Sequence, residues 1–236
     1  MLLYLWVETY KGEEKVQIYY KDKNEYKVLE AKNFNQLDTL YKKFTKDFGC
    51  KFDSKYMELI GKIYLRIQSA AKPNISIGDK EYFRKYFHFD EQFNNDFYCI
   101  IWDIEFTKQI ITSWNMEPQK IKTKDLMEFV DVESIDQLKL NEVRKLKKYD
   151  PVILVSYDPI NNPVLIDGNH RVYSKKNQPN LYLDAYFLDD FLSIECMAGD
   201  VFRYLYALHY NIIKLINYDL GNIAKEDLDE MLINIK

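Results

Sequence analysis

Five consecutive residues, Asp167, Gly168, Asn169, His170 and Arg171, carry the densest chemistry in the chain. Gly168 lets the backbone take a positive φ, and either Asp167 or Asn169 is placed to cap a short helix expected over residues 170–177. The free amides of that first turn, its dipole and the paired His170 and Arg171 side chains would all favour an anion at one spot. Arg171 adds a planar fork of donors that suits phosphate oxygens, and successive backbone amides form a concave nest for the same group. Phosphate is therefore the expected ligand, with Gly168, Asn169, His170 and Arg171 as the binding residues. Asp167 is the nearest carboxylate that could take a proton or hold Mg²⁺ in a phosphoryl transfer, although capping the turn accounts for it more simply. The same residues also have a plain structural reading, in which Asp-Gly-Asn is a turn and an arginine in a first helical turn pairs with a carboxylate.

The elements that must position this turn are legible on both sides of it. The run PVILV at residues 151–155 and the run VLI at 164–166 are β-branched and as long as buried strands. Between them YDPINNP reads as a hairpin-like connection. Residues 181–187, LYLDAYF, are a further strand with near alternation. The stretch PVILVSYDPINNPVLIDGNHRVYSKKNQPNLYLDAYFL resembles the ParB/sulfiredoxin-like superfamily, whose members place a Gly-x-(His or Arg)-Arg motif after a strand and at the start of a helix. The matching residues are Gly168, Asn169, His170 and Arg171, and the likeness extends upstream through QKIKTKDLMEFV and KLNEVRKLKKYDP to residue 119. It covers about 70 residues and is a short motif in a strand, turn, strand and helix context.

The resemblance implies an α+β fold, a ParB/sulfiredoxin-like mixed core with a small sheet and surrounding helices. Residues 1–116 then form an N-terminal extension, a three-stranded meander followed by helices. Residues 117–190 form the core and 191–236 C-terminal helices packed on it. It also implies a nucleotide-binding cleft in which the motif holds phosphates. Family members include nucleotide-binding partition proteins, sulfinic-acid reductases and a free-serine kinase. The reductases carry Cys immediately before the His-Arg pair, where this chain has Asn169, so the sulfur nucleophile is missing. Partition proteins continue into a helix-turn-helix region, whereas the tail after residue 200 carries no basic recognition helix.

Composition narrows the classes further. With 236 residues, 47% of them apolar, there is ample material for a core, and seven glycines and six prolines leave no long flexible linker. Net charge is −4, and residues 151–236 carry seven Lys/Arg against twelve Asp/Glu. A duplex-binding protein presents a basic face, so DNA is not the expected partner. Cys50, Cys99 and Cys196 are far apart and in no metal-ligand spacing, which suggests free thiols in a reducing compartment, the cytoplasm by default. No metal site is expected, because no acidic cluster of the kind two-metal cleavage needs is visible. The apolar start, MLLYLWV, lacks a basic region and reads as a strand rather than a leader, and no run reaches the length of a membrane span.

Along the chain, residues 2–8, 15–20 and 25–30 read as the meander. Leu37, Leu40, Tyr41, Phe44 and Phe48 share a helical face, as do Tyr56, Leu59, Ile60, Ile63 and Ile67, the second helix capped by Asp53 or Ser54. A short helix is expected over residues 79–86, and His88 is read as partly buried and satisfied by backbone. Residues 96–114 allow strand or helix, with helix favoured. Met116, Glu117 and Pro118 mark the boundary between extension and core. Residues 138–148 form a helix ending in the strongest basic cluster of the chain, Arg144 to Lys148, which is either a solvated face or a draw for polyanions. A long helix starts at Asp200 with His209 lining its core, and residues 224–235 make a last amphipathic helix.

Two function classes follow. One is a nucleotide-binding protein, with hydrolysis or phosphoryl transfer as its chemistry and a nucleoside triphosphate with Mg²⁺ as its ligand. The other is a non-catalytic interaction module on the same scaffold, working through a protein partner.

Overall fold

The computed structural model describes residues 3–10, 13–22, 25–31, 53–70, 81–88, 97–146 and 148–234. The fold is mixed α+β, and its contacts divide into two compact units. Unit 1 comprises residues 1–80, 85–101 and 197–236, and unit 2 residues 81–84 and 102–196. The division differs from the boundary expected at residues 116–118. Trp102 and the whole helix that follows it belong with the motif, while residues 197–236 group with the N-terminal segments.

In unit 1, β1 (Leu3–Tyr10), β2 (Glu13–Asp22) and β3 (Glu25–Ala31) form an antiparallel meander with registers such as Val7 opposite Val16 and Tyr19 opposite Val28. The helix α1 (Ser54–Ser69) buries Tyr56, Ile60, Ile63 and Ile67, the one-face spacing that the sequence displays. The helix expected over residues 37–48 lies outside the described residues.

Two readings in the middle of the chain are corrected. Where a helix was expected over residues 79–86, the chain forms β4 (Tyr82–His88), and residues 97–103 form β5 (Phe97–Asp103) rather than a helical first half. The two strands pair in a two-stranded sheet, and each is divided between the units. Tyr98, Cys99, Ile100, Ile101 and Trp102 are all buried. A run covered on every side has no helical stripe to select, so β-branched and aromatic content decides in favour of strand. Helix begins only where Asp103 accepts from the Phe106 amide (2.9 Å) and caps α2 (Ile104–Ser113). His88 ends β4, and the reading of its side chain lies outside the described residues.

Unit 2 is built on a four-stranded sheet of β6 (Gln119–Lys122), β7 (Val152–Val155), β8 (Val164–Asp167) and β9 (Tyr182–Leu188) in the order β6-β9-β7-β8. β9 runs antiparallel to β6 and parallel to β7, and β7 pairs antiparallel with β8 across a register shift at Ile153/Leu154. Between β6 and β7 lie α3 (Thr123–Leu126) and α4 (Gln137–Arg144), the latter capped by Asp136, whose carboxylate accepts from the Leu138 and Lys139 amides. α5 (Asn169–Ser174) follows β8, and α6 (Asp190–Glu195) follows β9 with Asp189 as its cap. One core cluster joins Leu126, Val152, Leu154, Leu165, Val172, Leu183 and Ala185, which seats α5 against the sheet through Val172.

The rest of unit 1 is α7 (Asp200–Asp219) and α8 (Lys225–Met231). α7 buries eleven of its twenty residues, His209 among them, and packs on α1. Asn211 exchanges two hydrogen bonds with the Ile233 backbone, each 2.9 Å, which ties the chain after α8 back to the long helix. No helix among the described residues is long and apolar enough to cross a membrane.

Candidate functional site

The chain turns from β8 into α5 at Gly168, with φ 105° and ψ 11°. A Cβ at this position would lie 2.5 Å from Val152 Cγ1 and 2.8 Å from its Cβ. Glycine is required twice over, by the left-handed conformation and by the closeness of β7. Gly168 is itself the N-cap, and no side chain caps the helix, so neither Asp167 nor Asn169 has the capping role expected of it.

Asn169 instead lies buried beneath the turn. Its Oδ1 accepts from the Asp131 amide and its Nδ2 donates to the Leu165 carbonyl, both at 3.0 Å. It splints the loop after α3 to the end of β8, and an amide offering a donor and an acceptor is what that position uses.

His170 points to a different neighbour. Its Nε2 accepts from the Asp136 amide at 3.0 Å, so that nitrogen is unprotonated and the ring neutral. Partial burial holds its pKa below the usual histidine value, with Lys139 adding to the effect and Asp136 opposing it. His170 and Arg171, expected to face one anion together, have different partners here, the Asp136 amide for the ring and Asp167 for the guanidinium.

Arg171 and Asp167 are brought together. Nη2 of Arg171 lies 2.6 Å from Asp167 Oδ1, four residues back at the end of β8, and Nη1 donates to the Asp150 carbonyl at 3.2 Å. Each side chain is only 13% exposed. The other carboxylate oxygen, Oδ2, is buried without an aligned hydrogen bond and faces Lys108 Nζ at 3.4 Å. Lys108 comes from α2 and also reaches Glu81 at 3.5 Å, a pair exposed enough for water to weaken it. Asp167 thus bridges two cations from separate elements. Lys108 was missed by the sequence reading because it stands in the segment assigned to the extension.

No family model, no curated protein and no solved structure matches the chain.

What the arrangement can do follows from its charges. A carboxylate held between a guanidinium and an ammonium is a poor ligand for Mg²⁺, since a cation arriving there meets two others. No group of three or more His, Cys, Asp or Glu able to hold a metal ion occurs among the described residues. Asp167 and its neighbours do not fit the metal that phosphoryl transfer would require. Two cations gathered about one anion do fit a phosphate that takes the carboxylate's place.

Proposed function

We propose that unit 2 is a ParB/sulfiredoxin-like binding module for a phosphate-bearing ligand, a nucleotide being the expected one, held by Arg171 and Lys108. In this reading Asp167 is the internal anion that the ligand displaces, not a catalytic carboxylate. The observation that carries it is the double contact of Asp167, 2.6 Å from Arg171 and 3.4 Å from Lys108 at the start of α5. Two cations from different elements facing one buried carboxylate oxygen pair form an anion site already filled by the chain.

Thermal denaturation against a nucleotide panel, with and without Mg²⁺, tests it, because a ligand that prefers the folded state must raise the midpoint. Arg171→Ala is expected to remove the nucleotide-induced rise. Asp167→Asn is expected to enlarge it, since the competing charge is gone while the side-chain volume stays. A catalytic Asp167 gives the opposite pattern, with binding kept and phosphate release lost. A second reading rests on the observation that Asn169, His170 and Arg171 all have partners within the chain, which makes the motif purely structural. It is the reading to adopt if no nucleotide moves the midpoint of either the parent or Asp167→Asn.

A further inference from the structure

The basic run ending α4 has no part in the site above, and the fold gives it company. Residues 137–150 hold five Lys/Arg and two carboxylates, and residues 169–181 hold three Lys/Arg and none. The two segments meet in space. α4 packs on α5, the Arg171 guanidinium reaches the Asp150 carbonyl, and Lys175 Nζ stands 4.7 Å from the Tyr149 ring centroid. Lys176 Nζ lies 4.4 Å from the Tyr173 ring centroid. Lys139, Arg144, Lys145, Lys148 and Lys176 are exposed. Apart from Arg171, which Asp167 pairs, a chain of net charge −4 thus gathers Lys139, Arg144, Lys145, Lys148, Lys175 and Lys176 in one neighbourhood with Glu142 and Asp150.

We propose that this neighbourhood of unit 2 binds single-stranded nucleic acid. Its cations suit a line of backbone phosphates, and a patch of one sign draws such a polymer even when the whole protein repels it. Tyr173 lies among the lysines, with Lys176 beside its ring, and an aromatic ring within a basic patch is what an unpaired base stacks on, while Tyr149 packs on the core and carries Lys175 above it. The supporting elements are an eight-residue helix, a six-residue helix and the turns beside them, so no long basic helix is present to seat in a duplex major groove. The proposal does not depend on the nucleotide reading, because the residues varied below are none of those that hold the phosphate in it.

The test uses the full chain and a fluorescent single-stranded RNA of about 20 nucleotides, read by anisotropy from about 50 to about 200 mM salt. The parent is expected to bind RNA more tightly than inorganic polyphosphate. Lys145→Glu with Lys148→Glu, and separately Lys175→Glu with Lys176→Glu, should each weaken RNA binding about tenfold or more and flatten the salt dependence by roughly one unit of slope. Lys62→Glu with Lys225→Glu, the same charge change on unit 1, should leave affinity within about twofold, as expected for charges that make no phosphate contact. Tyr173→Ala should cost about tenfold for RNA and nothing for polyphosphate. Circular dichroism confirms that each variant is folded. The proposal is overturned if the parent ignores RNA, if the patch variants bind as the parent does, or if polyphosphate or anionic vesicles bind as well as RNA and Tyr173→Ala changes nothing.

Discussion

Each of the two units places a histidine against a polar neighbour, and the two serve opposite ends. In unit 1, His209 is 4% exposed, hydrogen-bonds the Tyr98 hydroxyl through Nδ1 and lies edge-on to that ring. Burial pushes its pKa down to about 4, so it is a neutral core group whose polarity is met inside the protein. In unit 2, His170 is half-buried in the first turn of α5, and accepts a backbone amide close to Asp167, whose carboxylate meets Arg171 and Lys108. The lesson is that burial alone does not separate structural from functional polar groups. What sets unit 2 apart is the charge gathered around Asp167, which meets Arg171 and Lys108.

The contrast can be broken most directly at Gly168. Gly168→Ala forces a Cβ into Val152 from a left-handed backbone, and is expected to cost about 2–5 kcal/mol by urea denaturation. A change below about 0.5 kcal/mol, the size of an ordinary surface substitution, would mean that the turn yields freely and that its charges are not held in place.

Acidification probes the other side. The pKa of His209 is lowered from its ordinary 6.5 to about 4, so its contribution is complete above pH 6.5 and disappears as pH falls through 4. The loss amounts to about 3 kcal/mol, since the unfolded chain binds the proton first. Hydrogen exchange at pH 7 and pH 4.5 should show α7 losing protection over that interval. Protection of α7 that does not change with pH would remove the distinction between the two histidines.

Tyr98→Phe sharpens the comparison with a smaller effect, about 1 kcal/mol, for the loss of one buried hydrogen bond. It should also lessen the loss on acidification, because the neutral ring loses a partner and the folded pKa moves back toward 6.5. The smallest effect belongs to Lys55→Ala, which breaks an exposed ion pair with Asp229. Its melting midpoint should match the parent's, and a clear drop would show that surface charge matters in unit 1 as well.

How far the sequence revealed this architecture depended on how local the cause was. Gly168 could be read because a positive φ has one usual residue, and the strand, turn and helix around it follow from the apolar runs beside it. The face of α1 could be read for the same reason. β5 was misread because a segment buried on both sides loses the periodicity that tells strand from helix. The bridge from Lys108 to Asp167 could not be foreseen, since two residues that meet only in the folded chain leave no spacing to detect. Charge counted by halves of the chain hides one grouping, because the basic stretches lie on either side of residue 151 and are joined by the packing of α4 on α5.

The strand order of unit 2 carries a consequence for synthesis. β9 is the last of the four strands to leave the ribosome, yet it occupies a central place between β6 and β7. Until it inserts, the hairpin of β7 and β8 exposes a bare edge of unpaired amides and carbonyls, and β6 has nothing to pair with in the sheet. During that interval the nascent chain is open to strand exchange with a second copy, and a pause in translation just before residue 182 would prolong the exposure.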